Sequence, residues 1–105
     1  MHDAETNSDD PRAKEVADRV KDIVIHVLEL HVDRAQLTDD VPLYSSALRL
    51  DSLALLHLLV RFEQEFGIEI DDEDVMNAEL RDVGSLVELV RGLVETTDHV
   101  NGKRL

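Results

Sequence analysis

The segment from Ser52 to Gly67, Ser-Leu-Ala-Leu-Leu-His-Leu-Leu-Val-Arg-Phe-Glu-Gln-Glu-Phe-Gly, decides the fold because its apolar residues repeat with the period of an α-helix. The row that predicts the core face consists of Leu55, Leu58, Leu59, Phe62 and Phe66. A second row, Ser52, Leu56 and Val60, runs beside it from the serine. Gly67 predicts the end of this helix, since glycine adopts the left-handed backbone conformation at little cost.

The chain on either side of this segment predicts three more helices. A first helix is predicted with Asp10 as its cap and Pro11 as its first residue, and we expect it to end near Leu30 or His31. That stripe consists of Val16, Val20, Ile23, Val24, Val27 and Leu28. The acidic run at residues 71–74 predicts the first turn of a helix of one or two turns that holds Val75 and Met76.

A last helix is predicted after Asp82, which suits its N-cap. Its apolar repeat consists of Leu86, Leu89, Val90, Leu93 and Val94. Residues 31–51 follow neither the helical nor the strand period, but their apolar side chains recur every few positions, so we expect an ordered, non-helical crossover.

Together these segments predict an all-α fold, a small irregular four-helix bundle with a long loop between helices one and two and a short third helix. A chain of 105 residues suits one hydrophobic core. We expect one folded domain over residues 10–95, a disordered acidic tail at residues 1–9 and a flexible C-terminal tail at residues 96–105.

The charge balance limits the classes of partner. The chain has 11 Lys and Arg against 24 Asp and Glu, a formal net charge of −13, which repels nucleic acids and anionic membranes and favours a monomer. It has no cysteine. The acidic start lacks the basic and apolar regions of a signal peptide, and no apolar run is long enough for membrane insertion, so we expect a cytoplasmic location.

Ser52 is the candidate functional residue. One interpretation is an N-cap, because serine is favoured in front of a helix. The same position also suits a phosphate on the serine oxygen, because the first-turn N–H groups lack partners and the helix dipole is positive there. The sequence alone leaves both interpretations open.

Four motifs occur together in this chain: Leu48-Arg-Leu-Asp-Ser-Leu53; Leu58, Leu59 and Phe62; Glu63-Gln-Glu-Phe-Gly-Ile-Glu-Ile70; and Ser85-Leu-Val-Glu-Leu-Val90. With them the sequence resembles the acyl carrier proteins and their peptidyl and aryl carrier relatives over residues 16–94. The resemblance implies that Ser52 carries 4′-phosphopantetheine, which a phosphopantetheinyl transferase takes from coenzyme A. It also implies a non-catalytic carrier, a substrate for acyl-loading and acyl-processing enzymes of a fatty-acid, polyketide or related pathway.

The family pattern further implies roles for the neighbours of the serine. Asp51 would help the transferase to recognise Ser52, and Leu53 would pack beneath the attachment site. Leu56 and Val60 would form an apolar track that partner enzymes contact. The alternative for Leu56 is simple packing in the core.

Three departures from the family pattern concern charge. Arg49 stands where glycine is common, and Ala54 and His57, with Arg61 one turn on, stand where acidic residues are usual. Nine acids follow between Phe62 and Asp82, against one base, Arg81: Glu63, Glu65, Glu69, Asp71, Asp72, Glu73, Asp74, Glu79 and Asp82. Because charges at the edge of an interface discriminate among partners, we expect a specialised, free-standing carrier with its own partners. The residues expected to dock them are Arg49, Leu56, His57, Val60 and Glu63.

Two alternatives remain beside the acyl carrier: an aminoacyl or peptidyl carrier, and an unmodified helical interaction module with the same fold. Metal sites are not expected. Residues 71–82 lack the glycine of a calcium-binding EF-hand, with Met76 in its place, and no two histidines have the spacing of a zinc site. Ser52 and His57 are five residues apart on one helix, which does not suit a hydrolase triad.

Overall fold

Four α-helices make up the fold. The computed structural model describes residues 11–46 and 48–104, with side chains as far as Thr96. In this part of the chain the helices are α1 (Pro11–Leu28), α2 (Ser52–Phe66), α3 (Asp72–Ala78) and α4 (Val83–Arg104). Helix α1 packs against both α2 and α4, and α3 packs against α4. The predicted all-α bundle with a long first connection and a short third helix is confirmed.

Helix α1 ends two residues earlier than its apolar stripe predicts. Glu29 takes the left-handed conformation with φ 54°. Its N–H donates to the carbonyl of His26 at 3.3 Å, and the N–H of Leu30 donates to the carbonyl of Ile25 at 2.9 Å. This pair of hydrogen bonds is the Schellman motif, which satisfies the last carbonyls of a helix. The predicted cap at Asp10 lies outside the described residues.

The crossover between α1 and α2 is ordered, as predicted, but it is not entirely non-helical. Arg34–Gln36 forms a single 3₁₀ turn, closed by a hydrogen bond from the N–H of Gln36 to the carbonyl of Asp33 at 2.9 Å. One turn of three residues is too short to show a period in the sequence. The apolar residues of the crossover pack as expected, with four of them buried in the core: Leu37, Leu43, Leu48 and Leu50.

Backbone hydrogen bonds tie the crossover to the start of α4. The N–H of Val83 donates to the carbonyl of Val41 at 3.0 Å, and the N–H of Gly84 donates to the carbonyl of Asp39 at 2.8 Å. These first-turn N–H groups have no partner within their own helix. A Cβ on Gly84 would lie 3.2 Å from the Asp39 carbonyl oxygen and 3.0 Å from its Cβ. Glycine therefore allows the two backbones to meet.

The ends of the other helices agree with the sequence. Gly67 ends α2 with φ 66°, and its N–H donates to the carbonyl of Glu63 at 2.9 Å. The Asp74 carboxylate accepts the N–H of Asp71 at 3.0 Å at the start of α3. Asp82 caps α4, because its Oδ1 accepts the N–H of Ser85 at 2.9 Å.

The core is aliphatic and centres on α2. Leu58 and Phe62, from the predicted core face, are fully buried, while Leu55, Leu59 and Phe66 are half-buried. Fully buried residues from the other segments complete it: Val20, Val24, Leu43, Val83, Leu86 and Val90. None of the described helices combines the length and the hydropathy that crossing a bilayer requires.

Helix α4 continues to Arg104, beyond the end of its apolar repeat at Val94. Near that point Arg91 donates to Glu88 at 2.5 Å and to Glu95 at 2.8 Å, one turn to either side. Backbone hydrogen bonds do not need an apolar face, so the repeat marks the end of the packing stripe rather than of the helix. The domain bounds and the flexibility of residues 96–105 stay predictions, and residues 1–9 lie outside the described part.

Two leucines of α2 test this packing, because the same truncation at each removes very different contacts. Leu58→Ala should lower the free energy of unfolding by about 2–5 kcal/mol, since it leaves a cavity in the core. Leu56→Ala, in the exposed row, should change it by less than about 1 kcal/mol. Urea unfolding followed by circular dichroism measures both, and equal losses would contradict the assignment of the two faces.

Candidate functional site

Ser52 is the first residue of α2 and does not cap it. The N-cap is Asp51, which has an extended backbone and whose Oδ1 accepts the N–H of Ala54 at 2.8 Å. The N-cap interpretation of Ser52 is therefore wrong by one position. Ser52 is exposed, and its hydroxyl has no hydrogen-bond partner within the described residues. The capping residue thus leaves the serine hydroxyl free.

The start of α2 provides a positive electrostatic environment for an anion on Ser52. The N–H of Leu55 donates to the carbonyl of Asp51 at 2.9 Å, which is the first hydrogen bond of the helical pattern. The N–H groups of Ser52 and Leu53 precede that pattern and have no partner within the helix. A phosphodiester on the serine oxygen would lie at this end of the helix dipole. The position fits a phosphate-linked group.

Leu53, Leu56, His57 and Val60 form the outer face of α2. The exposed fractions are 62% for Leu53, 55% for Leu56 and 40% for Val60, and His57 is also exposed. Leu53 lies at i−3 and i−7 from Leu56 and Val60, so the three share one side of the helix. This side faces away from Leu58, which lies in the core. Core packing of Leu56 is therefore wrong, while the packing of Leu53 beneath the attachment site stays a prediction.

Glu63 is the first carboxylate of α2, and it is already engaged. Its Oε2 accepts the N–H of Ile70 at 2.8 Å, and the side chain is half-buried. The hydrogen bond fixes the connection from α2 to α3. Of the residues predicted to dock partners, Glu63 thus differs from Leu56, His57 and Val60, which have no such contact.

Arg49 has a backbone conformation that suits glycine. Its φ is 55°, in the left-handed region, and its N–H donates to the carbonyl of Ser45 at 2.9 Å. A residue with a Cβ pays a steric cost there. The side chain is exposed and lines a shallow groove with His31 and the end of α1. The structure thus brings a strained, exposed arginine close to the start of α2.

Three exposed apolar residues, Val32, Tyr44 and Met76, were not predicted as site residues from the sequence. Tyr44, in the crossover, and Met76, on α3, are both largely exposed. The exposure of Met76 could have been predicted from its position after the acidic run at residues 71–74, because charged residues indicate a helix that faces solvent. Within the described residues, the structure brings no three His, Asp or Glu side chains into an arrangement that could hold a metal ion.

The sequence of this chain is similar to a known protein family and to individual proteins within it. The family described as phosphopantetheine attachment site matches residues 18–90. The chain is 37% identical over 78 residues to an acyl carrier protein of Solidesulfovibrio magneticus, covering 73% of this chain and 96% of that protein. It is 35% identical over 77 residues to an acyl carrier protein of Thermotoga maritima, covering 73% and 89%.

A solved structure gives the same result for the fold. The acyl carrier protein from Enterococcus faecalis, described in connection with its high thermal stability, superposes with a TM-score of 0.59 at 28% identity. The match covers 77% of this chain and 96% of that chain. The region matched by the family spans the crossover, α2 and α3, and so includes Ser52 and the outer face of α2.

Substitution of Arg49 tests its backbone strain. Arg49→Gly should raise the free energy of unfolding by about 0.5–1 kcal/mol, because glycine removes the steric cost of the left-handed conformation. Arg49→Ala is the matched control, since it removes the same charge and keeps the Cβ. Urea unfolding measures both variants. An equal gain from alanine would assign the effect to charge and contradict the strain.

Proposed function

The chain belongs to the acyl carrier protein family, whose members carry a covalently attached 4′-phosphopantetheine, and we propose that Ser52 is the residue of this chain that carries it. One observation carries the proposal. The Ser52 hydroxyl is exposed at the positive end of α2 and has no hydrogen bond to a described residue, because Asp51 caps the helix in its place. Ser46, in the crossover, is also exposed, but it does not begin a helix.

The residues around Ser52 fit a large phosphate-linked group. When bound, the group supplies a thiol on which an acyl chain is held as a thioester. The free N–H groups of the first turn stabilise the negative charge of the phosphodiester. Ser52 and Leu53 are both exposed, so the attachment point is open to solvent.

The chain serves its partner enzymes as a substrate and does not itself catalyse. Within the described residues no imidazole is hydrogen-bonded to Ser52, so the chain offers the serine no general base. The phosphopantetheinyl transferase has to supply that base. The apolar row of Leu53, Leu56 and Val60 lies beside the attachment point, where an enzyme acting on the thioester would contact it.

The finer assignment is a specialised, free-standing acyl carrier, monomeric and cytoplasmic, served by acyl-loading and acyl-processing enzymes. Two relatives that match over most of their length are acyl carrier proteins, which supports acyl rather than aminoacyl or peptidyl cargo. The net charge of −13 supports a monomer, because like charges repel. The arginines near α2 support a dedicated set of partners.

Enzymatic modification tests the attachment point. The purified chain is incubated with coenzyme A and a broad-specificity phosphopantetheinyl transferase, and intact masses are measured. Wild type and Ser46→Ala should each gain one phosphopantetheine group, and Ser52→Ala should gain none. A gain on Ser52→Ala, or no gain on wild type while a known carrier is labelled in the same tube, would overturn the proposal and favour the unmodified interaction module.

Two substitutions of Asp51 separate capping from recognition by the transferase. Asp51→Asn keeps an acceptor for the N–H of Ala54, so the free energy of unfolding should change by less than about 0.5 kcal/mol. Asp51→Ala should lower it by about 1 kcal/mol. If the carboxylate is recognised, both variants should lose kcat/KM in the transfer reaction. Wild-type kcat/KM for Asp51→Asn would show that Asp51 acts as a cap only.

A further inference from the structure

The outer face of α2 lacks acidic groups although the chain as a whole is strongly acidic. We propose that this face docks a protein partner whose contact surface is apolar at its centre and carries carboxylates at its edge. The inference deepens the proposed function, on which it rests, by giving the chemistry of the partner that meets the attachment site.

Four of the described cations of this chain are paired with carboxylates. Lys21 lies 3.0 Å from Asp39. The other ion pairs are Arg19 with Glu65, Arg34 with Asp18 and Asp22, and Arg91 with Glu88 and Glu95. Hydrogen bonding to Glu88 also raises the pKa of Arg91. A carboxylate of the chain itself therefore already faces each of these four cations.

Arg49 and Arg61 are different, because neither forms an ion pair or a side-chain hydrogen bond with a described residue. Arg49 is exposed three residues before Ser52, and Arg61 is half-buried on α2. Lys14 and Arg81 also form no ion pair with a described residue, but they lie on α1 and just before α4. The two arginines near the attachment point therefore have charge to offer a partner.

The helical period of α2 places His57 and Arg61 beside the apolar row of Leu53, Leu56 and Val60. His57 and Arg61 are one turn apart, and both lie on one flank of the side that carries Leu53 and Val60. The imidazole of His57 adds a hydrogen-bond donor there. No carboxylate occurs on α2 between Ser52 and Phe62, and Glu63 is engaged with the N–H of Ile70. An apolar centre with a basic edge results.

The partner's charge follows from the cost of desolvation. Docking on Leu53, Leu56 and Val60 removes water from the neighbouring arginines, and an unpaired cation at an interface is costly. Carboxylates on the partner offset this cost and also steer the encounter. A partner with a basic edge would be drawn to the acidic residues around α3 instead. The outer face therefore selects against such partners.

Peptide binding to the unmodified chain tests the sign of the charge. Two short helical peptides are made with the same leucine face, one edged by glutamates and the other by lysines at the same positions. Each is titrated into the ¹⁵N-labelled chain at low ionic strength. The glutamate-edged peptide should shift the amide signals of residues 52–61, and the lysine-edged peptide should shift mainly those of residues 69–79.

A double variant ties the effect to the two arginines. Arg49→Gln with Arg61→Gln should weaken binding of the glutamate-edged peptide by about tenfold. Lys14→Gln with Arg81→Gln is the matched control, because it changes the net charge equally at other places, and its affinity should stay close to that of wild type. If both double variants lost the same affinity, the net charge alone would explain the weaker binding, and the proposal would be overturned.

Other occupants of the face give different results, each of which overturns the proposal. In the titrations, these results are tighter binding of the lysine-edged peptide to residues 52–61, or binding of neither peptide. The others are shifts of these amide signals only with vesicles of anionic phospholipid, and self-association of the chain in analytical ultracentrifugation. Because the titration uses the unmodified chain, it is independent of the mass assay. If the titration fails but the wild type gains a phosphopantetheine group, only the proposed charge of the partner is refuted. If the titration succeeds but no group is gained, only the proposal that Ser52 carries the group is refuted.

Discussion

The position of Ser52 depends on a backbone contact between the crossover and the first turn of α4. The N–H of Gly84 reaches the Asp39 carbonyl at 2.8 Å, and no side chain on Gly84 obstructs it. The same contact satisfies N–H groups that α4 cannot satisfy internally. With the crossover held there, Leu43 enters the core, and the remaining residues lead directly to the start of α2. A mobile crossover would leave the serine without a defined position relative to the outer face.

The start of α2 divides two tasks between adjacent residues. An N-cap needs an extended backbone and a short side chain with an acceptor, and Asp51 provides both. The next residue is the first in the helix, where a hydroxyl is not needed for capping. If Ser52 were itself the cap, its oxygen would be engaged with a backbone N–H, and modification would remove the cap. The one-residue offset avoids this conflict between stability and modification.

Features that follow from a repeating pattern or from a residue type with a strong preference could be predicted from the sequence, whereas features that run against such a preference or are too short to show a pattern could not. The core face of α2, its end at Gly67 and the cap at Asp82 follow from periodicity and residue type. The early end of α1 depends on Glu29, which adopts a left-handed conformation that glutamate rarely takes. The turn at Arg34–Gln36 is too short to give a signal.

The site shows the same limit. Ser52 could be predicted as the functional residue from its motif, but the cap could not be assigned, because Asp51 and Ser52 are both good capping residues and differ only in register. The direction of Leu53 follows from the helical period, because the side that it shares with Leu56 and Val60 lies opposite the core row.

Charge is distributed so that the two sides of the site differ in sign. The acids of α3 stabilise that helix from its first turn, and they leave a negative surface around Met76. Arg61 lies on α2 beside the apolar row, and Arg49 precedes Ser52 by three residues; neither forms an ion pair with a described residue. Arg49 also bears backbone strain, which glycine at this position would relieve. Arg49 forms no ion pair with a described residue, so within this part of the chain its charge adds no such pair to the stability of the fold, and it stays available for the docking proposed above.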